Sequence, residues 1–467
     1  MTNHWIDLKN SDCIFVIGAN PAENHPASMK WITKAQDDRG AKLIVVDPRF
    51  TRSASRADIY APLRSGTDIV YLGGMVNYIL ENDLYHEDYV KYYTNASFIV
   101  NKDFKGPADL DGLFSGYDSE TRSYDKSTWA FEVDEEGNAK RDLTLKNPQC
   151  VFQLMKKHYA RYTLEMVEKI TGCPQDKFLE VTDTFAATGK PGKSGTILYA
   201  MGQTQHTVGS QNVRSMALLQ LLLGNVGVPG GGVNALRGES NVQGSTDMAV
   251  LFHIIPAYMA TPNAAKTPTL ADYIEKETPK SGYWKNKPKF LISLLKAWWG
   301  DAATEENDFG YDYLGKVGRN YSWIPLFEDM HKGEIQGLWI MGQNPAVSGP
   351  NARFERQALE QLDWMVVQEI IDTETVSFWK APGVDSKSVK TEVFILPAAD
   401  AMEKEGSIVT SGRCIQWRPK VAKAPGDAKP DIWILDRLCK AFKKAHEGST
   451  DPKDRAILDL AWDYGDE

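Results

Sequence analysis

CIFVIGANPAENHP, residues 13–26, and GLWIMGQNPAVSGP, residues 337–350, decide how this chain folds. Each is a short apolar run that breaks at a glycine and continues Gly-x-Asn-Pro-Ala. Gly18, Asn20, Pro21 and Ala22 therefore correspond to Gly342, Asn344, Pro345 and Ala346. Each copy then leads to a second apolar run, KLIVV ending at Asp47 in the first and WMVVQEIIDTET from Trp364 in the second. Chance supplies one such match easily, but paired strand–turn–helix–strand contexts predict a structural duplication. A glycine turn after the first strand and an acid at the end of the second suit a nucleotide, with phosphates near the turn and Asp47 accepting hydrogen bonds from ribose or base. Neither copy carries GxGxxG, so a standard dinucleotide fold is not supported. Two such half-sites imply two nucleotides, or one cofactor with two nucleotide arms, at the C-terminal ends of two parallel sheets.

Around the first copy, residues 26–38 read as a helix and DPRFTRSASRAD leads through a loop and short helix to a third strand, ending in Gly66-Thr67-Asp68. Arg49 and Arg52 are candidates to hold phosphates there, the alternative being that they are simply solvated, as surface arginines in loops more often are. Residues 69–97 read as helical. The polar stretch 101–147 is a surface insertion in which TWAFEVDEEGNAKRD has the alternation and turn of a hairpin. Helices at 151–158, 163–170 and 175–186 precede a strand, GTILYAMGQTQH, that breaks at Gly202. A helix over 208–223 delivers GNVGVPGGGVNALRGESNVQGSTD, residues 224–247, with seven glycines around a single cation, Arg237. Glycine at that density permits positive φ and close approach of backbone N–H groups to a ligand. Alone, the loop is equally a solvated surface segment or an anion site built on the planar fork of arginine. Residues 259–330, rich in lysine and aromatics, read as a helical insertion with its own small core. After Pro419 a polar linker leads to a helix over 431–446.

Composition narrows the classes. Hydrophobic content of 42% and charged content of 25% are ordinary for a globular protein of two to three domains. A net charge of −9 with no basic run excludes nucleic acid as an expected partner. No apolar run approaches the ~18 residues that a membrane span needs, and the first residues, MTNHWIDLKNSD, contain no signal-peptide core. Cys13, Cys150, Cys173, Cys414 and Cys439 are scattered, and the histidines form no HxxxH or HExxH pattern. No protein metal site is expected.

The two Gly-x-Asn-Pro turns, DPRFTRSASRAD, RSGTD, GQTQH, GGGVNALRGESNVQG and EGSIVTSGRCIQW together resemble the molybdopterin oxidoreductases. More closely they resemble the catalytic (alpha) subunit of respiratory formate dehydrogenases, and the resemblance spans essentially the whole chain. It implies a bis-molybdopterin guanine dinucleotide cofactor around molybdenum or tungsten, matching the duplicated half-sites. It assigns one guanine dinucleotide to Asn20, Glu23, Asp47, Arg49, Gly66, Thr67, Asp68 and Gln205, and the other to Asn344, Ser348, Gln368 and Glu369. Carboxylates at such positions suit the N1–H and N2–H₂ donors of guanine and the ribose hydroxyls. Arg237 falls where such enzymes bind formate beside the metal, and Glu239 at a neighbouring position held by glutamine or histidine in the family.

The resemblance also implies parts this sequence does not contain: an N-terminal iron–sulfur domain, a selenocysteine or cysteine metal ligand upstream of Met1, and a C-terminal cap domain. An in-frame TGA read as a stop, with the next Met taken as the start, accounts for such a fragment. Implied partners are formate, an iron–sulfur beta subunit and a membrane cytochrome b gamma subunit, in a periplasmic setting. The expected fold is α/β, with two doubly wound (Rossmann-like) αβα domains: 1–240 with the insertion 101–150, and an incomplete 241–420 with the insertion 259–330. Residues 421–467 would be a linker and helices leading to the cap. Missing strands would leave the second sheet with an exposed edge and uncovered apolar surface. Two alternatives stay open: another molybdopterin oxidoreductase, nitrate or polysulfide reductase-like, and a non-catalytic pterin- or nucleotide-binding fragment.

Overall fold

The computed structural model describes residues 1–464. The chain divides into two compact units, Met1–Val242 with Val409–Cys414, and Gln243–Ile408 with Ile415–Glu467. Residues from 421 onward belong to the second unit.

The first unit is built on a parallel sheet whose central strand, β1 (Cys13–Ile17), is buried at all five positions. Such a continuous apolar run, without alternation, is what a strand covered on both faces requires. β2 (Lys42–Val46) and β3 (Ile59–Ala61) lie to one side of it, and β4 (Gly195–Tyr199) and β5 (Val233–Ala235) to the other. The order is β3-β2-β1-β4-β5 and every pairing is parallel.

Phe15, Ile17, Ile44 and Val46 face a core made with helices Asp68–Glu81, Gln175–Ala186 and Gly209–Leu222, through Tyr71, Met75, Phe178, Phe185 and Leu219. Ile14, Val16, Leu43 and Val45 face Ile32 and Ala35 of helix Met29–Arg39, which Gly40 ends in the left-handed conformation (φ +66°). The αβα layering expected of this domain is therefore present. Because strand order reverses between β1 and β4, a crevice opens at their C-terminal ends. There Gly202 N donates to Gly18 O at 3.1 Å. A Cβ on Gly202 would stand 2.6 Å from that oxygen, so this approach needs glycine.

The insertion departs from expectation. TWAFEVDEEGNAKRD keeps its turn, with Asp134 Oδ1 accepting from the Glu136 and Asn138 N–H groups, and its arms meet antiparallel at Val133 and Ala139, though as an isolated bridge and not a long ladder. Its two arms also pair with residues 98–100, as in Val100 with Phe131 and Phe98 with Arg141. The regular hairpin lies upstream, at Tyr117–Asp118 and Ser123–Tyr124.

The second unit repeats the first in abbreviated form. β6 (Gly337–Met341), β7 (Trp364–Glu369) and β8 (Glu392–Pro397) form a parallel sheet in that order. Ile340, Met365 and Val367 pack on helices Trp323–His331 and Ala352–Leu359 through Phe327, Met330, Ala358 and Leu359. Among the described residues β6 is an edge strand, whereas β1 is flanked on both sides. On the face turned away from those helices, Trp364 and Phe394 are 44% and 46% exposed. The exposed edge and uncovered apolar surface expected of this sheet are thus observed. The insertion has its own core of Tyr273, Leu291, Leu295, Trp299 and Tyr311, as its composition suggested. EGSIVTSGRCIQW forms the two-stranded return of Gly406–Val409 with Ile415–Arg418.

Candidate functional site: two clipped turns and an arginine cleft

Both Gly-x-Asn-Pro turns are closed by one hydrogen-bond pattern. In the first, Gly18 (φ +59°) donates from its N–H to Val46 O at 3.3 Å, and Pro21 opens a single helical turn. Asn20 Oδ1 accepts from Ser53 N at 3.2 Å and Ser53 Oγ at 2.8 Å, while Ala22 N donates to Ser53 Oγ at 3.0 Å. In the second, Gly342 (φ +60°) donates to Gln368 O at 3.0 Å. Asn344 Oδ1 accepts from Thr375 N at 3.1 Å and Oγ1 at 2.8 Å, and Ala346 N donates to Thr375 Oγ1 at 3.0 Å.

The asparagine is thus a clip that ties the turn after one strand to the loop after the next. Ser53 and Thr375 are buried. The register makes Val46 and Gln368 equivalent, and with them Asp47 and Glu369. The duplication seen in the sequence is one of hydrogen bonds as well as of strands.

A cleft of about 410 Å³ opens at the C-terminal ends of β1 and β4. Asn20, Asp47, Arg49, Asp68 and Arg237 line it, joined by His25 and His206. Burial raises the Asp47 carboxyl, partly offset by the Arg49 N–H that it accepts at 2.9 Å and by the Arg49 guanidinium. Asp68 is buried and accepts from Gln203 Nε2 at 2.6 Å, with His206 Nε2 3.7 Å from its other oxygen. The His206 ring also bonds Gly202 O at 2.8 Å, so the imidazole is fixed between the turn backbone and the buried acid.

Arg237 is held by its backbone: its N–H donates to Ser411 Oγ at 3.1 Å, and its carbonyl accepts from the His25 ring. Burial lowers the pKa of His25, and this bond works against that shift. Nearby, the Arg237 charge counters the rise that burial gives the Tyr199 hydroxyl.

The remaining expected residues are distributed less evenly. Glu23 accepts from Asn20 Nδ2 at 2.6 Å and stands 3.3 Å from Arg52 Nε, at the clip rather than on the cleft wall. Gly66 and Thr67 form the turn before helix Asp68–Glu81, where Thr67 Oγ1 donates to Arg64 O at 2.7 Å. Gln205 and Glu239 are exposed and do not line this cleft.

In the second unit Ser348 Oγ donates to Asn344 O at 3.0 Å, and Glu369 accepts the Ile370 N–H at 2.8 Å. Gln368 is buried; its Nε2 donates to Asp431 Oδ1 at 2.7 Å, and its Oε1 has no hydrogen-bond partner. Glu369 and Asp372 line a separate groove of about 370 Å³ at the ends of β7 and β8. Sequence reading missed Ser53, Thr375, His25 and His206. The first two were visible only as hydroxyl residues at the same distance beyond the equivalent acids Asp47 and Glu369.

The sequence matches the family described as Molybdopterin oxidoreductase over residues 1–441. The chain belongs to the molybdopterin oxidoreductase family. It is 56% identical over 450 residues to formate dehydrogenase subunit alpha of Megalodesulfovibrio gigas, covering 95% of this chain and 44% of that protein. Identity is 53% to formate dehydrogenase 2 subunit alpha (cytochrome c-553) of Nitratidesulfovibrio vulgaris and 47% to the nitrate-inducible formate dehydrogenase major subunit of Escherichia coli. Each of these matches covers 99% of this chain and 46% of the relative. The chain thus spans about half the length of the curated relatives it matches. Acetylene hydratase from Pelobacter acetylenicus superposes with a TM-score of 0.55 at 18% identity, over 97% of this chain and 52% of that one, a likeness of fold alone. Family membership implies a molybdopterin-type cofactor. The cleft fits one, since it combines an arginine anchored through its backbone, the half-buried carboxylate of Asp47 beside the buried Asp68, and a glycine contact admitting no side chain. Among the described residues no cluster of His, Cys, Asp or Glu could hold a metal by itself.

Proposed function

We propose that this chain is the cofactor-holding and formate-binding part of a formate dehydrogenase catalytic subunit. The observation that carries the reading is 47–56% identity to named formate dehydrogenase alpha and major subunits along nearly the whole chain. It is supported by Arg237, a cation with an anchored backbone at the wall of the first cleft. Net turnover is formate to carbon dioxide, one proton and two electrons, and the bound metal–pterin centre supplies the acceptor for those electrons.

The part of this chain is to hold and to orient. Arg237 takes the formate carboxylate by its planar fork, which pins both oxygens and aims the C–H bond. Asn20, Glu23, Asp47, Arg49, Gly66, Thr67, Asp68 and Gln205 receive one guanine dinucleotide, with Asp47 and Asp68 as acceptors for guanine and ribose donors. Asn344, Ser348, Gln368 and Glu369 receive the other, the unpartnered Gln368 Oε1 being one acceptor that a ligand would satisfy. Glu239 stands beside the formate arginine.

The metal is molybdenum or tungsten. Electrons leave through an iron–sulfur cluster in polypeptide outside this chain to a beta subunit, and on to a membrane cytochrome b gamma subunit, in the periplasm. The open edge of β6 and the exposed Trp364 and Phe394 support completion of the second unit by that same additional polypeptide. Replacing Arg237 by Ala in the holoenzyme and measuring formate-dependent dye reduction tests the reading. Turnover left intact would take formate binding away from Arg237, and a wild type without formate-dependent reduction would favour a relative acting on another substrate.

A further inference from the structure

A second cavity of the first unit, about 660 Å³, lies between the insertion and helix Val151–Tyr159 and shares no lining residue with the cleft. The insertion contributes Phe104, Phe114, Trp129 and Phe131 to its lining, and the helix contributes Leu154 and Met155. Trp129 gathers the rings: its centroid is 5.4 Å from that of Phe114 and 6.4 Å from that of Phe104. Its Nε1 donates to Ser115 O at 2.9 Å, so the indole has spent its one polar group and offers the cavity ring surface. All four aromatic side chains are only half-buried. A closed core would cover them, whereas these rings keep apolar surface turned into the cavity. Cavities of this size, mostly apolar with a few placed polar groups, are what small ligands occupy.

The polar groups set into this lining differ in depth. Gln149 is held by its backbone, its N–H donating to Asn147 Oδ1 at 2.8 Å and its carbonyl accepting from Val100 N at 2.9 Å. Its side-chain Oε1 is buried and has no hydrogen-bond partner. A buried oxygen without a donor is costly, so the cavity has a place for an O–H or N–H. His158 is the converse. Arg161 Nη2 lies 3.0 Å from His158 Nδ1, and a guanidinium can only donate, so Nδ1 accepts and the ring hydrogen sits on Nε2. Burial, and then the Arg161 charge, lowers the pKa of His158 and keeps the ring neutral at neutral pH. Lys157 and Arg161 are exposed, and of the lining acids they face only Asp109, which Lys157 meets at 3.2 Å. An unmet acceptor therefore lies deep, and an excess of positive charge lies at the mouth.

We propose that this cavity binds a planar aromatic acid bearing a hydroxyl. The ring lies against the aromatic side chains, the hydroxyl donates to Gln149 Oε1, and the carboxylate meets Arg161 and Lys157. The test is isothermal titration of holoenzyme containing this chain, with formate saturating so that the cleft is occupied. The probes are 6-hydroxy-2-naphthoate, 2-naphthoate, which lacks the donor, and 2-naphthylmethylammonium, which reverses the charge. Gln149→Met removes the acceptor and keeps the bulk, and Leu154→Trp fills the cavity. The unfolding midpoint and formate turnover are followed in both variants.

The hydroxynaphthoate should bind about tenfold more tightly than naphthoate, the gain from one hydrogen bond to an otherwise unmet group, and the ammonium should bind most weakly. Gln149→Met should bring the two acids to equal affinity, and Leu154→Trp should abolish binding of both, with formate turnover unchanged. If Leu154→Trp lowers the midpoint, Gln149→Met alone decides. Equal affinity for the two acids in the wild type, or a preference for the ammonium, would overturn the proposal. So would binding that persists in a folded Leu154→Trp variant, which places the probe elsewhere. Absence of binding by every probe would also overturn it, leaving Gln149 to water or to a segment of a partner polypeptide.

Discussion

A guanidinium in a glycine-rich loop is useful for recognition only if its backbone is held, because each long side chain that must be ordered on binding costs ~0.5–1.5 kcal/mol. Ser411 and His25 hold Arg237 from its N–H and its carbonyl. Arg237→Ala should lower kcat/KM for formate by about 100- to 1,000-fold, the range seen when one directed donor is removed from a reaction site. Arg237→Lys should recover only part of this, because lysine lacks the fork. Steady-state dye reduction measures both.

Asn20→Ala removes the acceptor for two donors of the buried Ser53 and should destabilise by about 1–3 kcal/mol, read as a lowered urea midpoint. Much of this residue-scale picture was not legible in the sequence. Arg237 could be singled out because it was the lone cation among glycines. Ser53 and Thr375 could not, because their partners lie 33 and 31 residues away and nothing local marks a hydroxyl as a clip. His206 lies within GQTQH, but its contact with Asp68 exists only after the helix starting at Asp68 is brought against the turn at Gly202.

At the scale of elements, the strands and their turns were readable. Continuous Val/Ile/Leu/Phe runs ended by glycine admit few interpretations, and helices over 151–158, 163–170 and 175–186 were found at Val151–Tyr159, Leu164–Thr171 and Gln175–Ala186. The insertion was readable only in part, because its two arms pair with each other at Val133 and Ala139 but also with residues 98–100, far off in sequence.

The duplicated glycines supply a comparison. Gly18 and Gly342 have the same positive φ, but a Cβ on Gly18 meets Gly202 backbone at 2.8 Å while one on Gly342 meets nothing within 4 Å. Gly342→Ala should cost only the left-handed strain of roughly 1–2 kcal/mol. Gly18→Ala should add the overpacking penalty of about 1–3 kcal/mol, so its urea midpoint should fall further.

A surface loop gives a pH signature. Asp142 is held at about 2, chiefly by the Thr144 hydroxyl and then by the Asn147, Thr144 and Lys146 N–H groups. Its folded pKa lies below the unfolded one, so its contribution is fully present above the usual carboxylate range and is lost as pH falls toward 2. Asp142→Asn should therefore lower the thermal midpoint at neutral pH, and the difference from wild type should vanish on acidification.

For the whole molecule, the two units tell one story at different degrees of completion. The first sheet has helices on both faces and strands on both sides of β1; in the second, among the described residues, β6 is an edge strand and the buried core lies on one face. That asymmetry was anticipated from the resemblance and not from periodicity, since β6 and β1 look equally apolar as sequences. The central claim is that each of the duplicated turns holds one guanine dinucleotide. Acid release and counting of GMP from holoenzyme containing this chain tests it most directly. Two GMP per chain, with a single molybdenum or tungsten, is the predicted result; one GMP or none per chain would contradict it.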